Sequence, residues 1–285
     1  MQQYVFFVSR QGSHMEHINE LADSLNVYFK WNKARIHCFT NLIFALFAVK
    51  TVNLVELACV FKSSAKQSSR YKRVQRFFNG FNVDFHQIAT FVFKLFILQN
   101  GKWYLSIDRS HWQLGKAVIN ILMLAVIYKG VAIPIYWSLF RKKGNSDTKE
   151  RIDLLEKFTI NFGKDKIAGL LGDREFIGGK WFEYLKEQKI PFFIRIRNNA
   201  ITTNAQGKEV DIRLLFLGMK PGESRVLEGK RKLWGNELYL AGLMLPKDGE
   251  LLIVTTDGPS ENALNTYLLR WKIETLFFKF KNEGL

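Results

Sequence analysis

Three carboxylates widely separated along the chain have the placement that divalent-metal chemistry requires. Asp108 closes the apolar run Trp103-Tyr104-Leu105-Ser106-Ile107, and Asp173 closes the run from Ile167 to Gly172. Glu274 lies in the helical stretch Tyr267-Leu268-Leu269-Arg270-Trp271-Lys272-Ile273-Glu274. Two carboxylates at strand ends can converge, and a helix packed on the sheet can bring the third. Such a trio suits Mg²⁺, a hard cation that takes oxygen ligands and keeps water and substrate phosphate in its shell. Taken alone, each aspartate reads more simply as a turn or capping residue.

The stretch around Glu274 is more specific. Tyr267, Arg270, Glu274 and Lys281 stand at offsets of 3, 7 and 14 residues. On an α-helix turning about 100° per residue they fall within an arc of roughly 60°. One face then presents a phenol, a guanidinium, a carboxylate and an ammonium, with Leu268, Trp271 and Phe278 turned toward a core. The plainer account of the same face is an amphipathic helix with an i,i+4 ion pair between Arg270 and Glu274.

The elements that would position these groups follow from the periodicity. Strands are expected over Trp103–Asp108, Val118–Tyr128, Val131–Phe140, Ile167–Asp173 and Phe192–Ile196. A helix over Asp147–Phe162, capped by Asp147 or Ser146, has Ile152, Leu155 and Phe158 along one face, and a second covers Lys180–Gln188. Three meandering strands followed by two helix–strand units match a ribonuclease-H-like α/β core. Residues 198–256 interrupt that pattern with turns such as Lys220-Pro221-Gly222-Glu223 and Lys247-Asp248-Gly249-Glu250, as a β-rich insertion would. A long helix from Asn262 to Lys281 ends the pattern.

Ahead of this α/β domain, placed at 99–285, residues 15–98 read as a small α-helical domain. Leu21, Leu25 and Phe29, and then Ile36 to Val49, recur at three- and four-residue steps. Leu54, Leu57, Ala58 and Phe61 make an apolar helix face. Ser68-Ser69 can cap a following helix that carries Arg70, Lys72, Arg73 and Arg76, with Tyr71 and Phe77 interleaved. The pair resembles a helix-turn-helix with basic residues for phosphates beside an aromatic anchor. A solvated basic helix without a ligand accounts for the same residues.

Charge narrows the partner. With 42 Lys and Arg against 26 Asp and Glu, the net charge is +16, which points to a polyanion and foremost to nucleic acid. A hydrophobic content of 47% over 285 residues is enough to fill a core and argues against disorder. Cys38 and Cys59 are too few for a disulfide framework and do not form a zinc pair, in keeping with a reducing cytoplasm. The apolar run Ala117–Phe140 has the length of a membrane span, but Lys129-Gly130 and Pro134 break it into a strand hairpin, so no membrane partner is expected. Residues 1–14 lack the pattern of a secretory signal and read as a non-native leader, with Met15 as the start.

Together these motifs resemble a known family. Tyr267-x2-Arg270-x3-Glu274-x6-Lys281 is similar to the Tyr-Arg-Glu-Lys (YREK) signature of a large group of bacterial insertion-sequence DDE transposases. Ser106-Ile107-Asp108-Arg109-Ser110-x-Trp112 and Gly172-Asp173-Arg174-Glu175-Phe176 resemble the first and second acidic motifs of that group. Gly144-Asn145-Ser146-Asp147-Thr148-Lys149-Glu150-Arg151 is also similar to its close members, and the resemblance runs from Met15 to Lys281.

The resemblance implies a ribonuclease-H-like core in which Asp108, Asp173 and Glu274 hold two Mg²⁺ ions, with Mn²⁺ as a substitute. Tyr267, Arg270 and Lys281 would grip terminal DNA phosphates, and Trp234 in the insertion would stabilise a flipped base. It further implies a homodimer acting on double-stranded DNA, at terminal inverted repeats and target DNA, in the cytoplasm of a bacterium at its nucleoid. Family members continue past the position of Lys281, so a truncated product is expected. That leaves two readings open: an active transposase, and an inactive DNA-binding remnant that competes for transposon ends. A ribonuclease-H-like nuclease outside transposition is a third, against which the signature helix argues.

Overall fold

The computed structural model describes residues 14–61, 63–80, 82–96, 101–114, 117–142, 144–247, 249–259 and 261–282. The leader expected at 1–14 thus lies outside the described residues except for His14, as does Asp248 of the turn expected at 247–250. The chain falls into two compact units, one drawn from residues up to 98 and from 277 onward, the other from 99–276.

The first unit is helical, with α1 (His14–Tyr28), α2 (Lys33–Val49), α3 (Leu54–Cys59), α4 (Gln67–Gly80) and α5 (Phe85–Phe96). Asn32 and Asn53 cap α2 and α3 by accepting from the backbone N–H groups of Arg35 and Val55. Leu42, Ala45, Leu57, Ala58, Phe61, Val74 and Phe77 form a shared core. Two expectations fail here. Ser68 and Ser69 do not cap α4, which has already begun at Gln67, with Lys66 accepting from the N–H groups of Ser69 and Arg70. Phe77 is no aromatic anchor for a ligand, because the core claims it, and the neighbouring Phe78 is the exposed ring.

The second unit is built on a nine-stranded sheet whose main path runs β3-β2-β1-β4-β5-β11-β10-β8, with β9 paired to β10. Its strands are β1 (Trp103–Leu114), β2 (Ala117–Tyr128), β3 (Val131–Phe140), β4 (Ile167–Gly172), β5 (Phe192–Ile196), β8 (Ser224–Val226), β9 (Arg231–Leu233), β10 (Asn236–Met244) and β11 (Leu251–Thr256). A separate hairpin joins β6 (Ile201–Thr203) to β7 (Glu209–Asp211). β1 and β4 run parallel, as do β4 and β5, while β2 and β3 meander antiparallel. This large mixed sheet is consistent with a ribonuclease-H-like fold. Residues 198–256 supply β6 to β11, and β11 pairs with β5, so part of the expected insertion extends the main sheet. β2 and β3 turn at Lys129-Gly130, where both residues have positive φ, the tight hairpin turn that matches strand twist.

Helices cover both faces. α6 (Thr148–Phe162) begins with a capping box between Asp147 and Glu150 and buries Arg151, Leu154, Leu155 and Phe158. α7 (Gly179–Glu187) buries Trp181, Phe182 and Leu185. Phe182 stacks on Phe192 of β5 at 5.4 Å, whereas the next residue, Phe193, packs with Ala263 and Tyr267 of α8 (Ala263–Leu268). Successive strand residues point to opposite faces, so α7 and α8 lie on opposite sides of the sheet.

The long helix expected over 262–281 is two helices, α8 and α9 (Trp271–Asn282). Between them Leu269, Arg270, Lys272 and Ile273 each donate to the carbonyl three residues back, which tightens the turn at Arg270. Two core expectations on this stretch also fail, because Trp271 and Phe278 are exposed.

Buried Arg151 ties the loops around α6 to the sheet. Its guanidinium donates to the Ser146 hydroxyl and to the carbonyls of Ser146, Glu175 and Ile177, and it lies over the Phe176 ring at 5.2 Å. An Arg151→Met chain leaves those buried acceptors unmet, and a loss of about 2–3 kcal/mol in unfolding free energy is expected in urea titration.

Candidate active site

Strand register brings the two aspartates together. Tyr104 pairs with Gly169 and Ile107 with Gly172, so Asp108 and Asp173 follow side by side at the next step. A Cβ built on Gly169 would stand 2.8 Å from the Phe193 ring and 3.2 Å from that of Tyr104, on the α8 face. Residues 104 and 108, like 169 and 173, are four apart, so both carboxylates share that face. Asp108 does not close β1, as its sequence context suggests. β1 continues to Leu114 along β2, and what ends near Asp108 is its pairing with β4. The crevice opened there, at the carboxyl ends of parallel strands, is where α/β sheets take ligands.

The turn residues repeat. Asp108 Oδ1 accepts from the Arg109 backbone N–H at 2.7 Å, and Asp173 Oδ1 from that of Arg174 at 2.7 Å. Arg109 then makes a bidentate bridge to Glu175, with its Nη2 at 3.0 Å, and donates also to Asn120 and Asn145. The residue after one aspartate is thereby pinned to the residue two beyond the other. Sequence reasoning quoted Arg109, Glu175 and Arg151 within motifs without a role, because their partners are remote in the chain.

Arg270 closes the site from the α8 side. Its Nη1 donates to Asp108 Oδ2 at 3.2 Å, its Nη2 to Glu274 Oε1, and its Nε to the Tyr267 hydroxyl at 3.0 Å. Arg270 is only 2% exposed and Tyr267 fully buried, so both are directed inward, not along a common outer face. Glu274 retains 55% side-chain exposure. Burial lifts the Asp108 carboxyl to about 7 against the pull of Arg270 and of the Arg109 N–H, with Asp173 and Glu175 adding to the rise. Burial likewise pushes the Tyr267 phenol up to about 12. For Arg270 burial opposes the charge, but Tyr267, Asp108, Glu274 and Asp173 outweigh it and hold the guanidinium above its ordinary value.

The other candidates lie on other elements. Lys281 falls on α9, its side chain outside the described residues. Trp234 and Gly235 form the β9–β10 turn, both with positive φ, and the half-exposed indole leans on Phe182 at 5.8 Å. Of the basic residues on α4, Arg70 donates to the carbonyls of Cys59 and Phe61, and Arg73 to that of Ala34. Lys72 and Arg76 are exposed and line an open groove of about 370 Å³ with Gln75 and Asn79.

A transposase DDE domain model matches residues 99–284. The chain belongs to that family. No curated protein matches it. Among solved structures it is similar to an endonuclease V of Ciona intestinalis, in complex with a 24mer DNA containing an inosine followed by a ribo-adenosine. That likeness has a TM-score of 0.33 and 11% identity over 60% of this chain and 77% of that one. It is similar also to the endonuclease V of Bacillus subtilis, with a TM-score of 0.30 and 10% identity over 66% and 82% of the two chains. No helix among the described residues is long and apolar enough to cross a membrane.

DDE chemistry calls for a cation among the acidic residues, and the donor set can be tested against that need. Among the described residues no group of three or more His, Cys, Asp or Glu side chains is gathered closely enough to hold a metal ion. Asp108 and Asp173 are hard oxygen donors side by side, and burial leaves the Asp108 charge undercompensated, a combination that fits a hard divalent cation. Glu274 stands across the Arg270 guanidinium from Asp108 and completes the set only if Arg270 shifts.

An aspartate in the unfolded chain ionises near 3.9, so between about pH 4 and pH 7 the folded protein holds a proton on Asp108 that the unfolded chain releases. The resulting stability, of order 2–4 kcal/mol, is fully present below about pH 4 and is lost as the pH rises through 7. Melting of the metal-free protein from pH 5 to 8 is expected to fall relative to Asp108→Asn, and parallel curves would refute the assignment.

Proposed function

We propose that this chain is a DNA transposase of the YREK group, cleaving the ends of an insertion sequence and joining them to target DNA. The observation that carries the reading is the meeting of Asp108, Asp173 and, through Arg270, Glu274 at one crevice of a DDE-family domain. Asp108 and Asp173, joined by Glu274 once Arg270 shifts from between them, would hold two Mg²⁺ ions. When bound, these supply Lewis-acid stabilisation of the transferring phosphoryl group and ionise the attacking hydroxyl.

The chain's own residues do the rest. Tyr267 and Arg270 orient the carboxylates from within, Arg270 through its bonds to Asp108 and Glu274 and Tyr267 by holding the Arg270 Nε. Lys281 adds a phosphate contact, and Trp234, strained at its hairpin tip, offers an indole face to an unstacked base. Lys72 and Arg76 contact the DNA backbone from the helical unit, while Arg70 and Arg73 hold that unit's helices together. A homodimer would pair the two inverted repeats, at the nucleoid of a bacterial cell.

The decisive assay follows a labelled duplex carrying the element's terminal repeat, with Mg²⁺ or Mn²⁺. The parent is expected to cleave, and Asp108→Ala, Asp173→Ala and Glu274→Ala each to lose about 10³-fold or more. Binding without metal-dependent cutting by the parent would overturn the enzymatic reading in favour of an inactive DNA-binding remnant. For the helical unit, Lys72→Ala with Arg76→Ala is expected to weaken DNA binding about equally across sequences and to flatten its salt dependence, with an unchanged melting temperature. Arg73→Ala is expected to lower that temperature instead.

A further inference from the structure

A cleft of about 470 Å³ opens beside Asp173, lined by Arg174, Arg195, Arg197, Asn198 and Glu250 among others. Its cations come from separate places that the sheet brings together. Arg174 follows β4, Arg195 lies on β5, and Arg197 stands just past the end of β5. Glu250 immediately precedes β11, whose Val254 pairs with Arg195. A single carboxylate oxygen, Glu250 Oε1, accepts from Arg195 Nη2 and lies 3.8 Å from Arg174 Nη1. Arg195 is 14% exposed in its side chain, which fixes the fork, whereas Glu250 at 38% and Arg174 at 58% face the opening.

The arrangement has the form of an anion site with an internal occupant. Guanidinium forks match the paired oxygens of a phosphate as well as those of a carboxylate. Arg195 and Arg174 both face the Glu250 carboxylate at this mouth and Arg197 also lines it, while of the other two acidic lining residues Asp173 belongs to the acidic crevice and Glu175 is held by Arg109. We propose that this cleft is a subsite for a DNA backbone phosphate next to the scissile position, and that Glu250 occupies it in the free protein as a stand-in for that phosphate. The proposal rests on the reading of the substrate as DNA. Binding exchanges the Glu250 carboxylate for a phosphodiester at Arg195 and Arg174, so Glu250 competes with substrate. It holds down affinity for DNA that is not seated at the crevice.

The competition gives a test in which one variant gains. Anisotropy of a labelled duplex is measured with the full chain, Glu250→Gln and Arg195→Ala across a salt series. Glu250→Gln, which keeps the shape and removes the charge, is expected to bind about 3–10-fold tighter. Arg195→Ala is expected to bind about 5–10-fold weaker, with a salt slope shallower by about one. Glu250→Gln is expected to keep the parent's melting temperature, so that its tighter binding does not come from cations released by unfolding. If the parent fails to bind DNA at all, the reading of the substrate falls. If the parent binds but Glu250→Gln binds no tighter, the substrate reading stands and the subsite is overturned.

Discussion

A guanidinium withdrawn from water is tolerable only among acceptors that meet its N–H groups and balance its charge. Arg270 finds them in Asp108, Tyr267 and Glu274, and much of the domain's arrangement follows. The bond to Asp108 spans 162 residues of chain and fixes α8 against the strand carrying the first aspartate. Reaching inward, Arg270 coincides with the tightened turn between α8 and α9, and it draws the Tyr267 phenol into the interior with it. The bridge is sealed at its Asp108 end and open to solvent at Glu274. A cation entering the crevice would therefore meet an internal positive charge already shared between two of its three prospective ligands.

Around this centre, arginines set the spacing of acidic groups. The two Asp-Arg pairs look alike in sequence, and each aspartate takes the N–H of its arginine. Their arginine side chains part company. Arg109 is consumed by Glu175, Asn120 and Asn145, while Arg174 is exposed toward Glu250. Arg151 grips the turn after Asp173 from the other side through backbone carbonyls. One arginine thus holds the frame and the other faces the cleft, a division that depends on which loops close around them.

The helical unit repeats the division. Arg70 and Arg73 satisfy carbonyls of neighbouring segments, leaving Lys72 and Arg76 on the exposed face of α4. A net charge of +16 therefore overstates the number of cations a polyanion can reach, since several are committed to holding the fold.

Periodicity and capping made much of this legible in advance. Strand periodicity located β2, β3 and β5 within a residue, and Asp147, offered with Ser146 as a cap, marked the start of α6, because these signals are local to the backbone. The acidic motifs singled out Asp108 and Asp173 as candidates for the same reason. The extent of β1 past Asp108, the passage of β11 into the main sheet, and the tightened turn at Arg270 were decided by pairing between distant segments. So were the burial of Tyr267 and Arg270, the exposure of Trp271 and Phe278, and the sharing of Glu250 by two arginines. Residue type and spacing determine which groups are available. Which of them turn inward depends on a buried charge finding partners, and only the closed tertiary structure supplies those.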